Sequence, residues 1–264
     1  MFSVDLLHHY RRLADSQFTV VDLETTGGND RSDRITEISV LQASLASGIH
    51  DQITHLINPQ ISIPEKIVRL TGITEQMVAE APVAKDVLPQ FRPWLEQNIL
   101  TGHNIAFDHS FLKAEFARQN QPFSRPPHQQ LCTVQLARLM LADLPSRRLP
   151  KLVKHFKFDV NTSHRAAADT QACWLLLSRL LTEILTEDDD ALLSRFRQEW
   201  IPLKIAAKLL GCSYDSGLDR LSKANVPHRL SGRSSQKSHK VPMYRRGDVE
   251  DFICLQQGIQ LSLV

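Results

Sequence analysis

The 264-residue chain has no apolar run of about 18 residues, so the sequence offers no membrane-spanning helix. Its first residues, MFSVDLLHHYRRLADSQ, alternate apolar and charged side chains and lack the apolar stretch of a secretory signal. Cysteine is scarce. Cys132, Cys173, Cys212 and Cys254 lie about 40 residues apart with no CxxC pair, which excludes a locally encoded zinc ribbon or redox motif. With no export signal, these thiols are expected to be reduced in a cytoplasm. Internal repeats are absent, and the only biased stretch is the basic Ser231-Gly-Arg-Ser-Ser-Gln-Lys-Ser-His. What remains is globular material: 42% hydrophobic and 23% charged residues, enough to bury a core in one large domain or two smaller ones.

The small net charge of +2 conceals an uneven distribution. Residues 1–186 hold 19 basic and 19 acidic side chains, a balance of zero. Residues 200–246 hold ten basic side chains against Asp215 and Asp219, a balance of +8. Between them TEDDDALLSRFRQE reads as a charged connector or solvated helix. The expected organisation is therefore a neutral domain over 1–186, a connector over 187–199 and a small basic domain over 200–264. A basic patch on a small module is the electrostatic footprint of a nucleic-acid partner, although a merely solvated surface has the same composition.

Phe18-Thr-Val-Val-Asp-Leu reads as a buried strand running into a turn at Thr25-Thr26-Gly27-Gly28. Two more strands follow, from Ile35 and from His50. Residues 64–80 and 84–98 have helical spacing. A short strand at 99–102 precedes helices over 108–119, 133–141 and 166–185. Strands followed by alternating helices and strands indicate an α/β layer fold.

Acids are disfavoured inside strands, yet Asp22 and Glu24 close this one. Two residues apart, they share a face, where like charges repel unless a cation lies between them. Solvated strand-end acids are the plain alternative. Asp108 stands at a loop-to-helix junction, where an N-cap would also explain it. His164 and Asp169 frame His-Arg-Ala-Ala-Ala-Asp before an apolar helix, where a first-turn acid suits the helix dipole.

Taken together, DLETTG at 22–27, HNIAFD at 103–108 and HRAAAD at 164–169 resemble the motifs of DEDDh 3′→5′ exonucleases, the family of the proofreading ε subunit of bacterial DNA polymerase III. The intervening LINPQISIPEKIVRLTGITEQMVAEAP is also similar, and the resemblance covers roughly residues 17–182. It implies an RNase H-like α/β fold with a central mixed sheet flanked by helices. It implies hydrolysis from the 3′ end that releases nucleoside 5′-monophosphates. By position, Asp22, Glu24, Asp108 and Asp169 would hold two divalent cations, Mg²⁺ or Mn²⁺, and His164 would be the general base. Thr25 and Thr26 would lie near the terminal nucleotide, and His103, Asn104 and Phe107 would line the same cleft.

The C-terminal residues suggest helix-turn-helix: a first helix ending at Gly211, a second over 214–224, then a basic hairpin and a closing helix. This pattern resembles the winged helix-turn-helix of excisionase and MerR-type DNA-binding domains, through AAKLLGCS and YRRGDVEDFI. It points to Arg220 and Lys223 on the second helix and to Arg229, Arg233, Lys237 and Lys240 on the wing as DNA contacts. The partners expected are nucleic acid, DNA ahead of RNA, a polymerase or repair protein, and a second copy of the chain, with no membrane. An RNA exonuclease, a DNA-binding regulator with a vestigial nuclease fold and an accessory subunit stay open as competing readings.

Overall fold

The computed structural model describes residues 1–160, 164–231 and 240–258, which form two compact units. One comprises residues 12–136 and 145–182. The other comprises residues 1–11, 137–144 and those from 183 onward. This partition differs from the boundary expected at 186: the N-terminal residues group with the C-terminal ones.

The chain opens with α1 (Ser3–Ala14) and continues into the larger unit. There β1 (Gln17–Thr25), β2 (Ile35–Ser44), β3 (Gly48–Leu56), β4 (Ile99–Gly102) and β5 (Gln130–Cys132) form one sheet in the order β3-β2-β1-β4-β5. β1 to β3 pair antiparallel, whereas β4 and β5 add in parallel, so the sheet is mixed. Helices α2 (Glu65–Thr71), α3 (Glu75–Ala79), α4 (Ala84–Gln97), α5 (Ile105–Arg118), α6 (Thr133–Met140), α7 (Leu149–Phe156) and α8 (Ala166–Thr186) complete the α/β pattern. α6 and α8 run across the division between the units.

β1 is the central strand, and its two faces serve different layers. Val21 and Leu23 join a core with Leu88, Phe91 and Leu95 of α4 and Phe111, Leu112 and Phe116 of α5. The alternate residues face α8, where Phe18 meets Trp174 with ring centroids 6.0 Å apart. The helix expected over 64–80 is two helices, because Gly72 ends α2 at φ +74°, a conformation that favours glycine. β5 and α7 were not anticipated. A three-residue strand is too short for alternation to reveal, and its pairing with β4 defines it.

In the smaller unit the expected connector is α9 (Asp189–Arg197), an anchored helix. The Asp188 side chain caps it by accepting from the N–H groups of Asp190 and Ala191, and Leu192 and Phe196 are fully buried. Then come β6 (Trp200–Pro202), α10 (Leu203–Leu209), α11 (Tyr214–Lys223), β7 (His228–Ser231), β8 (Val241–Arg245) and α12 (Arg246–Gln257). The three strands form an antiparallel sheet in the order β6-β8-β7. Ile201, Leu203, Ala206, Leu221, Tyr244, Val249 and Ile253 make this unit's core, with Phe2 packed against it. Arg233 and Lys237 lie outside the described residues. The four cysteines are free thiols. Among the described residues no helix is long and apolar enough to cross a membrane.

Candidate active site

The acids of β1 lie where the strand's neighbour runs out. β4 pairs with β1 only as far as Val20, and its last residue, Gly102, turns the chain into α5. Beyond that point the Leu23 N–H has no strand partner on this side, and the Asp108 carboxylate accepts it at 3.2 Å. Asp108 is therefore not the cap of α5. It stands one turn inside, with Asn104 at the cap position in a left-handed conformation at φ 86°. Gly102 makes this approach possible: a Cβ there would lie 3.2 Å from the Val21 carbonyl oxygen and 3.3 Å from Asp108 Oδ2.

Asp22 and Glu24 share the face of β1 that meets α8, as their spacing requires, and pair in register with Ser39 and Glu37 of β2. Asp169 approaches from the first turn of α8. One carboxylate oxygen from each of Asp22, Glu24 and Asp169 lies within 4.8 Å of the others. Burial, followed by the charges of Asp108, Asp169, Glu24 and Glu37, holds the Asp22 carboxyl well above the usual range. Burial first, and then Asp169 and Glu37, push Glu24 up to about 8. Burial likewise pushes Asp108 up to about 8, against its hydrogen bond from Leu23. Asp169 is raised by burial, and partly held down by His164. The carboxyls of Asp22, Glu24 and Asp169, which obstruct one another's ionisation and converge with oxygen donors only, suit a hard divalent cation.

His164 donates its backbone N–H to Asp169 Oδ2 at 3.1 Å and adopts φ 67°. The motif around it is held by a residue that sequence reasoning passed over. Glu37, 1% exposed, accepts from Arg165 Nη2 at 2.6 Å and Nε at 3.2 Å, and from the Ala166 N–H at 2.8 Å. It thus caps α8 from the neighbouring strand. The signal was present, since Glu37 is an acid inside an apolar strand, as Asp22 and Glu24 are.

The expected cleft residues divide. The Thr25 hydroxyl donates to the Gly27 carbonyl at 2.6 Å, and the Thr26 hydroxyl accepts from the Arg34 N–H at 3.0 Å. Both side chains are buried and shape the turn after β1. His103 has both ring nitrogens engaged, Nε2 with the Arg147 carbonyl at 2.8 Å and Nδ1 with Thr133 Oγ1 at 2.9 Å, which leaves neither for a substrate. Asn104 is exposed. Phe107 is half-buried, its ring 4.8 Å from that of Phe111.

Of the C-terminal candidates, Arg220 donates to the Gln256 side chain and the Leu210 carbonyl, and Lys223 pairs with Asp219 at 2.8 Å. Arg229 lies over the Trp200 ring. Lys240 is exposed.

A family model described as Exonuclease matches residues 19–177. The chain is 41% identical over 180 residues to a Mycobacterium tuberculosis protein provisionally named a bifunctional exonuclease/endonuclease, covering 65% of this chain and 27% of that protein. It is 33% identical over 178 residues to the PolC-type DNA polymerase III of Oceanobacillus iheyensis, covering 67% of this chain and 12% of the polymerase. It is 30% identical over 174 residues to the ε subunit of DNA polymerase III from Aquifex aeolicus, covering 65% and 84% respectively. The chain thus spans less than a third of the first two of these relatives. In fold it is similar to Exonuclease X in complex with 5′ overhanging duplex DNA, with a TM-score of 0.51 at 24% identity over 68% of this chain and 99% of that one. Exonuclease I gives a TM-score of 0.58 at 19% identity over 75% and 47%. The matched residues carry the mixed sheet and the three converging acids. The chain belongs to the exonuclease family.

Proposed function

We propose that this chain removes nucleoside 5′-monophosphates from the 3′ end of DNA, with Asp22, Glu24, Asp108 and Asp169 as ligands for two divalent cations and His164 as general base. The convergence of Asp22, Glu24 and Asp169 oxygens within 4.8 Å carries this reading. Mg²⁺ or Mn²⁺ held there would polarise the phosphodiester as a Lewis acid and neutralise the charge that develops on it. The chain's own groups do the rest. The carboxylates fix where the scissile phosphate enters. His164 accepts the proton of the water at a ring nitrogen as the water oxygen bonds to phosphorus and the bond from phosphorus to the 3′ oxygen breaks, the 3′ oxygen leaving on the shortened strand and taking a proton from solvent. The turn built by Thr25 and Thr26, where the Thr25 hydroxyl is committed to the Gly27 carbonyl, borders the terminal nucleotide.

DNA is favoured as substrate because the Aquifex aeolicus relative is a DNA polymerase III subunit. A polymerase or repair complex is the matching protein partner. The C-terminal unit lies outside the matched residues 19–177. Its helix-turn-helix α10–α11, strand pair β7–β8 and helix α12 fit a winged module that holds the enzyme on nucleic acid.

The test uses 5′-labelled oligonucleotides of matched sequence as single-stranded DNA, duplex DNA and RNA, with Mg²⁺ or Mn²⁺ and an Asp22→Ala control. A ladder shortening from the 3′ end, absent in the control, is expected, with DNA the faster substrate. No shortening on any substrate would overturn the catalytic reading, and faster RNA decay would reassign the substrate.

A further inference from the structure

Trp200 opens the smaller unit's sheet on its edge strand, β6, in register with Arg245 of β8. Arg229 of β7 pairs with Met243 of β8, two residues before Arg245. Alternation along the strands puts Trp200, Arg229, Met243 and Arg245 on one face. Ile201 and Tyr244, on the other face, belong to the buried core. The face with Trp200 is therefore the outer one. On it the Arg229 guanidinium lies 4.0 Å from the Trp200 ring centroid and the Arg245 guanidinium 4.5 Å from it. Two cations are thus gathered on one indole, a cation–π arrangement that holds both long side chains in place. Among the described residues no acid forms an ion pair with Arg229, whereas Lys223 is paired with Asp219, Arg246 with Glu199 and Arg197 with Asp251.

We propose that this outer sheet face, centred on Trp200 with Arg229 and Arg245, is the surface on which the C-terminal unit docks the phosphate backbone of duplex DNA. The inference rests on the reading of this unit as a nucleic-acid module, and centres its contact on Arg229 rather than on Lys223, which is paired with Asp219; Arg245 gives one guanidinium N–H to the Gln198 carbonyl and keeps the others. Charge complementarity selects the partner: residues 200–246 carry ten basic side chains against two acidic ones, and a duplex is a dense line of phosphates. The stack selects the form of the nucleic acid. A protein that grips single strands offers open aromatic faces to the bases. Here guanidinium groups cover the indole, so the surface presents planar, multidentate donors, which suit phosphate oxygens.

The experiment uses the full chain carrying Asp22→Ala, with EDTA present so that DNA survives. Binding of a labelled duplex is followed by anisotropy and by the chain's tryptophan fluorescence at several salt concentrations. The duplex is expected to bind more tightly than a single strand of the same length or duplex RNA, and to change the fluorescence. Trp200→Phe should abolish most of that change while leaving duplex affinity within a few-fold. Arg229→Ala should weaken binding and lower the slope of log affinity against log salt by about 1, the expectation for one lost phosphate contact. Because Arg229 is exposed, this variant is expected to fold; Arg229→Lys, which keeps the charge and loses the planar stack, should fall between it and the parent. Binding with no change in Trp200 emission, or with an unaltered salt slope in Arg229→Ala, would overturn the proposal. So would equal affinity for a single strand. Each of these outcomes leaves the exonuclease assay untouched, so the failure of this surface is distinguishable from failure of the catalytic reading.

Discussion

His164 stands at φ 67°, a left-handed backbone that costs a residue with a side chain about 1 kcal/mol. The hydrogen bond from its N–H to Asp169 offsets part of that and partly holds down the Asp169 carboxyl, which burial raises. Removing the ring leaves all four carboxylates in place. His164→Ala is therefore expected to lower turnover by about 10²–10⁴-fold, the usual size of a general-base effect, while thermal stabilisation by added Mn²⁺ survives. Near-normal turnover would remove His164 from its role. His103 belongs to a different class. Burial pushes its pKa down to about 4, so the folded protein binds this proton less readily than the unfolded chain, whose histidine titrates near 6.5. The stability that neutral His103 contributes is present above pH 6.5 and is lost as pH falls from there through 4. The span corresponds to about 3 kcal/mol. His103→Gln, which hydrogen-bonds but does not titrate, should flatten that part of the urea-midpoint profile. An unchanged pH slope would contradict the assignment.

At the scale of elements, α8 carries the third motif and Glu37 of β2 secures it. Arg165 and the Ala166 N–H both end on this one carboxylate, and Gln52 of β3 adds hydrogen bonds to the Ala167 carbonyl at 2.8 Å and to Thr170 Oγ1 at 2.9 Å. Glu37→Gln removes the charge without removing the volume. It is expected to cost about 2 kcal/mol in urea unfolding, within the range for hydrogen bonds to charged groups, because half-exposed Arg165 can recover some hydration. It should also lower kcat more than it raises KM, since His164 and Asp169 lose their footing on the sheet; an unaltered kcat would confine Glu37 to stability. Most of this element was legible beforehand. The apolar run after Asp169 marked a helix, and the two-residue spacing of Asp22 and Glu24 put them on one face. The hold of Glu37 on Arg165 was not legible, because it joins residues 128 apart and depends on strand register. The same limit applies to Asp108, whose spacing suits a cap equally well; only the end of β4 beside β1 reveals the N–H it serves.

At the scale of the whole chain, local sequence placed the division between units at the acidic stretch near 187, where charge suggested a charged connector or a solvated helix. Charge at Asp188 proves to be helix-capping chemistry, and Leu192 and Phe196 make α9 a packed element. The N-terminal residues join it from the far end of the sequence. Ser3 donates its N–H to Glu250 at 2.7 Å and its hydroxyl at 2.9 Å, Arg246 donates to the Met1 carbonyl at 3.0 Å, and Phe2 packs on the smaller unit's core. Glu250 is 3% exposed, and burial holds its carboxyl above the ordinary range even with those donors in place. Deleting residues 1–11 would strip it of two hydrogen bonds to a charged group, each of about 1.5–3 kcal/mol, and would uncover apolar surface on the same core. Small domains have little stability to spare, so this unit is expected to lose cooperative structure in the deletion variant, while β1 to β5 keep theirs. Hydrogen exchange read by segment makes the distinction: protection in α10, α11 and α12 should fall and protection in β1 and β2 should hold. Undiminished protection in α12 would mean that the N-terminal residues merely rest on the smaller unit, and that residues 183–264 fold without them.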